Sequence, residues 1–211
     1  MLKIWGRANS SNVQRPLWLC AELGIPFERF DVGGPFGQTR EPAYLAMNPN
    51  ALIPTIDDDG FVLWESNTII RYLAARHGAH DWYPTGLQQR ALVEQWMDWS
   101  NTVFAPAITA AFWGLIRHAP AERDAQAVLA SGEKTAAALA ILDARLAGRD
   151  YVCGGQPTLA EISLGINAYR WMNLPWDLVG YTRPEMPALC AWYRRLAQRP
   201  AYRQVVMTPI T

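Results

Sequence analysis

The chain is 211 residues long, room for one domain or two, and is 50% hydrophobic against 18% charged. That is the balance of a globular sequence with a core, and it excludes a disordered or low-complexity chain. Lys plus Arg and Asp plus Glu each total 19, so the net charge is zero and there is no basic excess to serve a nucleic acid or an anionic membrane.

From the N-terminus, Leu2-Lys3-Ile4-Trp5 alternates as a strand and stops at Gly6. Val13, Leu17, Cys20 and Leu23 then recur at three- and four-residue steps, a helix face that Gly24 ends. Pro16 is tolerated near the first turn, where a missing N–H costs little. Residues 26–31 read as a second strand, Gly33, Gly34 and Gly37 as a loop, and 41–46 as a short helix. Residues 53–56 and 61–63 are expected to pair as a hairpin through Asp57-Asp58-Asp59-Gly60. A helix over 66–76 carries Ile69, Ile70 and Leu73 on one side and stops at Gly78.

Beyond residue 87 the strand signals vanish. Leu92, Trp96, Trp99, Val103 and Ala107 step as one long helix, kinked or broken near Pro106, and Val128, Thr135, Leu139, Leu142 and Leu146 step as another. Thr158-Leu159-Ala160-Glu161 is a capping box that opens a helix to about Met172, and a last helix runs from Met186 past Tyr202. The expected architecture is therefore an α/β unit over 1–78, a linker over 79–86 and an all-helical unit over 87–211.

Cys20, Cys153 and Cys190 are odd in number and lack Cys-x-x-Cys spacing, which suits a reducing compartment and predicts no metal site. His77, His80 and His118 have no ligand or dyad spacing and read as surface residues. MLKIWG leads into a strand without a signal-peptide core, and no apolar run reaches the ~18 residues of a membrane span. A soluble, cytoplasmic protein is expected. Ten tryptophans suit a broad helical core or an aromatic-lined site, and composition does not choose between them.

A βαβ unit, then a ββα unit whose third strand opens on a proline, outlines a thioredoxin-like domain with helices appended. In that order, Asn48-Pro49-Asn50-Ala51-Leu52-Ile53-Pro54-Thr55-Ile56, then Leu63-Trp64-Glu65-Ser66-Asn67-Thr68-Ile69-Ile70-Arg71-Tyr72-Leu73, then Pro157-Thr158-Leu159-Ala160-Glu161-Ile162 resemble the glutathione transferase family over essentially the whole chain. The resemblance implies glutathione as cosubstrate, a small electrophilic and apolar second substrate, and a homodimer. It places a cis-proline at Pro54, so that Ile53 offers its N–H and C=O to the cysteinyl backbone of glutathione as a neighbouring strand would. Ser66, at a helix N-terminus, would take the γ-glutamyl carboxylate and Glu65 the ammonium; an ordinary N-cap is the plainer reading of that pair.

The loop Gly6-Arg7-Ala8-Asn9-Ser10-Ser11-Asn12 is where the family carries its activating group. A thiol with a pKa of ~8.5 is mostly protonated at neutral pH, and a hydrogen bond donated to sulfur favours the thiolate. Ser10 is the expected hydroxyl, Ser11 its competitor by one register step, and Asn12 a second donor; helix capping alone would also explain all three. The strand ends in Trp5 rather than tyrosine and the loop has no cysteine, which implies a serine-type enzyme, theta-like, zeta-like or bacterial. Cys20 is expected in the core. Trp113 and Phe104 are expected on the second-substrate wall, and Asp98 either faces a second subunit or is solvated. A glutathione-dependent isomerase, dehalogenase or peroxidase, and a non-catalytic glutathione-binding module, are the alternatives.

Overall fold

The alternation of Leu2–Trp5 becomes β1, with Leu2 and Ile4 buried, and β1 is an inner strand of a four-stranded sheet, flanked by residues 27–30 on one side and by 55–58 and then 61–64 on the other. The computed structural model describes residues 1–211. β2 (Phe27–Phe30) runs parallel to β1 with Leu2 opposite Phe27, and α1 (Ser11–Leu23) supplies the crossover that a parallel pair requires. Gly24 closes α1 in the left-handed region at φ 64°, and its N–H bonds back to the Cys20 carbonyl. A loop with one 3-10 turn (Gly34–Phe36) leads to α2 (Pro42–Met47).

β3 (Thr55–Asp58) and β4 (Phe61–Trp64) form the expected hairpin, antiparallel to each other, with β3 antiparallel to β1. Its turn is tighter than the acidic run suggests. Asp59 and Gly60 have φ values of 52° and 94°, the two positive angles that match a two-residue turn to strand twist. The third strand starts two residues later than expected, because Ile53-Pro54 stays outside it with a cis peptide bond. α3 (Ser66–Arg76) then returns across the sheet beside α1, burying Ile69, Ile70 and Leu73.

The remainder is helical: α4 (Leu87–Trp99), α5 (Ala105–Phe112), α6 (Ala125–Leu146), α7 (Leu159–Asn173), α8 (Pro187–Gln198) and α9 (Pro200–Val205). The irregularity expected near Pro106 takes the form of a π-helical stretch at Ser100–Phe104, where the ladder accommodates the missing proline N–H without ending the helix. A second such stretch, Trp113–Arg117, follows α5. The last expected helix is two, since Arg199 is extended ahead of Pro200. No helix is long and apolar enough to cross a membrane.

One hydrophobic core runs through both parts. Trp18 of α1 packs edge-on against Tyr202 at 4.8 Å, and the Tyr202 hydroxyl donates to the Gly165 carbonyl of α7 at 2.8 Å. A side chain at Gly165 would meet Trp18 at 3.2 Å and Leu196 at 2.9 Å, so glycine lets α7 lie close against α1. Trp171, Trp176 and Tyr181 form a second aromatic cluster. Most tryptophans therefore build core.

The expected capping box forms. The Thr158 hydroxyl also accepts from Ala160 N–H at 3.3 Å and donates to Glu161 at 2.9 Å. The fully buried Glu161 carboxylate also accepts from Thr158 N–H at 2.6 Å and Val152 N–H at 2.8 Å. Burial pushes its pKa up, and those hydrogen bonds hold it down.

Candidate active site

The N-termini of α1 and α3 and the loop before β3 converge on one cleft of about 480 Å³, within the range of small-molecule sites. Ser10, Ser11, Asn12, Ile53, Pro54, Glu65 and Ser66 all line it. Thr109, Phe112, Trp113 and Arg170 face them from the helical part, so the cleft lies between the two parts of the molecule.

Ser10 precedes α1 with extended backbone angles, and its carbonyl accepts from Gln14 N–H at 2.8 Å, as an N-cap residue should. Its side chain makes no capping bond. At 8% exposure the hydroxyl is nearly buried, yet it borders the cleft with its donor uncommitted. Ser11 is already the first helical residue, half-buried, and Asn12 is exposed one position on.

The loop before β3 is held from beneath by Asn48. Its amide donates to the Leu52 carbonyl at 2.9 Å and to the Thr55 hydroxyl at 3.1 Å, and its oxygen accepts from Asn50 N–H at 3.1 Å. The Tyr44 hydroxyl adds a 2.6 Å bond to the same Leu52 carbonyl. So braced, the loop leaves Ile53 with neither its N–H nor its C=O in a backbone hydrogen bond, an open edge of about one residue facing the cleft.

Glu65 has φ 73°, a positive angle that costs a non-glycine residue about 1–3 kcal/mol and persists only where the surroundings impose it. The angle turns the chain from β4 into α3 and brings Glu65 and Ser66 together to the cleft. Ser66, 4% exposed, accepts a 2.8 Å bond from Arg15 on α1. Arg15 is 3% exposed, its Nε has no partner, and burial brings its pKa down to about 10, with Arg170 lowering and Glu65 raising it. Next along α3, Asn67 donates to the Met97 carbonyl at 3.1 Å and accepts from Ser163 at 2.8 Å, which ties the start of α3 to α4 and α7.

On the opposite wall Trp113 is 50% exposed and lines the cleft. Phe104, expected beside it, does not. It is 0% exposed, packed against Trp99 at a ring distance of 6.1 Å, at the end of the π-helical stretch. One extra residue in a helical turn rotates the downstream side chains by roughly 100°, a shift that unbroken α-helical spacing does not include. Asp98 pairs with Arg71 of its own chain at 2.9 Å. His77, His80 and His118 are exposed, while Cys20 is buried and its thiol is pushed up to about 12.

Sequence reasoning passed over Arg7, Arg15, Asn48, Asn67 and Arg170. Arg15 carried a signal, a charge inside the apolar run Val13–Cys20. Arg170 carried none, because its place in the cleft depends on how α7 crosses α1.

Two serines and a Glu-Ser pair at helix starts face a cis-proline loop beside a mixed sheet with helices appended, the arrangement to which the resemblance pointed. Residues 9–76 match the glutathione S-transferase N-terminal domain model, and residues 104–200 match the glutathione S-transferase C-terminal domain model. The chain is 39% identical to glutathione S-transferase GstB of Escherichia coli K12 over 100% of both chains. It is 32% identical to glutathione S-transferase 3 of Zea mays, covering 97% of this chain and 93% of that one. The crystal structure of a theta class glutathione S-transferase from Xanthomonas axonopodis pv. citri, with glutathione bound, superposes with a TM-score of 0.93 at 44% identity, over 100% of this chain and 99% of that one. The chain belongs to the glutathione transferase family of enzymes.

Proposed function

We propose that the cleft binds glutathione, that Ser10 holds its sulfur as a thiolate, and that the thiolate attacks a small electrophile seated against Trp113. The observation that carries this reading is the uncommitted Ser10 hydroxyl, nearly buried at the start of α1 and sharing one cleft with the unpaired Ile53 edge and Ser66. The cysteinyl backbone pairs with Ile53, and Pro54 fixes the turn that presents it. The γ-glutamyl carboxylate sits on Ser66 and the free N–H groups at the start of α3, backed by Arg15, and its ammonium faces Glu65. With the sulfur at the start of α1, the Ser10 O–H donates to it and the helix N-terminus adds a favourable field, so the thiol proton leaves to solvent more readily. Ser11 is the alternative donor and Asn12 a second one. No step draws on a metal. Residues 1–78 serve as the glutathione-binding unit, 79–86 as the linker and 87–211 as the second-substrate unit.

The protein is expected to be retained on glutathione resin and to catalyse glutathione conjugation with 1-chloro-2,4-dinitrobenzene above the uncatalysed rate. No retention would overturn the reading. Retention without turnover, whatever the electrophile, would instead favour a glutathione-binding module.

Phe61, Val62 and Trp64 on β4 are exposed, as are Leu92 on α4 and Val103 beyond it. An apolar sheet edge of this kind is suited to burial against a second copy of the chain, which favours a homodimer; the cytoplasm is its proposed location. Light scattering should give twice the 23.7 kDa chain mass at micromolar concentration, and a monomer would refute it.

A further inference from the structure

We infer that Arg7 and Arg170 form an anion subsite on the second-substrate side of the cleft, and that the preferred electrophile carries a carboxylate. The inference rests on the glutathione reading above and narrows its second substrate.

In a chain of zero net charge, two guanidiniums, those of Arg7 and Arg170, line one cleft, and those of Arg15 and Arg117 lie near enough to act on them electrostatically. Arg117 depresses the pKa of both Arg7 and Arg170, Arg7 depresses that of Arg170, and Arg170 that of Arg15, in each case after the larger effect of burial. Glu65, which also lines the cleft, opposes this at Arg15. None of the four arginines takes part in an ion pair. Like charges crowded together without counterions are a cost that an anion bound among them relieves.

Their positions separate their roles. Arg15 is buried behind Ser66 and bonded to it, so it belongs to the glutathione side. Arg117 is exposed beyond the rim. Arg7 and Arg170 line the cleft itself, one from the loop after β1 and the other from α7. Arg7 spends one N–H on the Asn9 side chain at 2.6 Å, and its buried Nε has no partner. Arg170 lies 4.0 Å over the Phe112 ring, and its guanidinium donates no hydrogen bond within the chain, so its N–H groups are free for a ligand. Thr109, Phe112 and Trp113 complete that wall. A carboxylate matches the planar fork of an arginine, and an aromatic ring bearing it would rest on the half-exposed Trp113.

The test is a matched pair of electrophiles, 4-chloro-3-nitrobenzoate and 4-chloro-3-nitrobenzamide, alike in size and leaving group but not in charge. In each, the thiolate attacks the ring carbon that bears chlorine. A C–S bond forms, the C–Cl bond breaks and chloride leaves with the electron pair, while the thiol proton passes to solvent. With each kcat/KM divided by its own uncatalysed rate constant, the benzoate should exceed the benzamide by about tenfold, the scale of one charge-assisted hydrogen bond. R7Q and R170Q should each collapse that ratio toward one. Affinities of the two finished glutathione conjugates, measured by calorimetry, give the same ratio without requiring turnover.

Glutathione binding with equal preference for the two conjugates would overturn the subsite and leave the broader reading standing. So would variants that weaken glutathione itself while keeping the ratio, since the arginines would then serve the tripeptide. Failure of the wild type to bind glutathione would overturn both.

Discussion

Ser10→Ala is expected to lower kcat/KM for glutathione conjugation at pH 7 by about 10- to 100-fold and to leave glutathione affinity within about threefold. A hydrogen bond to a charged group is worth about 1.5–3 kcal/mol, and 1.36 kcal/mol corresponds to one pKa unit. Losing the Ser10 donor should therefore raise the pKa of bound glutathione by about one to two units. Ultraviolet absorbance of the thiolate, titrated in the binary complex, reads that shift directly. The sign follows from which form the donor stabilises: with the hydroxyl present the thiolate persists to lower pH, and without it activity recovers as pH rises toward the unassisted pKa. Ser11→Ala is the control. Ser11 is the first residue of α1 and half-buried, whereas Ser10 is nearly buried and spends no hydroxyl bond on the helix. If Ser11→Ala moves the thiolate titration and Ser10→Ala does not, the register is wrong by one residue.

The serine pair is legible in the sequence and most of its surroundings are not, because the forces involved differ in range. Glycine, proline and capping residues act within a few positions, so β1, α1 with its Gly24 stop, the hairpin and the start of α7 can be read locally. Ile53 and Pro54 look like the start of a strand by composition, yet the Asn48 brace holds their loop out of it. That brace joins residues with no periodic relation. Phe104 departs from expectation for another reason, since a π-helical stretch leaves the hydrophobic count unchanged while rotating the side chain inward. Arg7 and Arg170 reach one cleft through tertiary packing from opposite ends of the chain, and no window of sequence contains both.

Glu161→Ala is expected to cost the fold about 3–4 kcal/mol, although Glu161 touches nothing in the cleft. The carboxylate is fully buried and accepts from Thr158 N–H, Val152 N–H and the Thr158 hydroxyl. Alanine would orphan both backbone donors, at about 1–3 kcal/mol for each buried unsatisfied group, while the hydroxyl can turn elsewhere. Against a typical stability of about 5–15 kcal/mol that is a large share. The loss would fall on the start of α7, the helix that packs against α1, anchors Asn67 through Ser163 and brings Arg170 to the cleft. The melting transition should drop and the cleft should loosen with it, so glutathione should restore part of the loss by binding only the folded form. Glu161→Gln keeps an oxygen for one of the two N–H groups and should lose about half as much, which remains measurable by denaturant titration if the alanine variant does not fold. A glutamine variant as unstable as the alanine one would mean that the charge, not the pair of accepted backbone bonds, holds the box together. An alanine variant as stable as the wild type would mean that the box does not hold α7 at all.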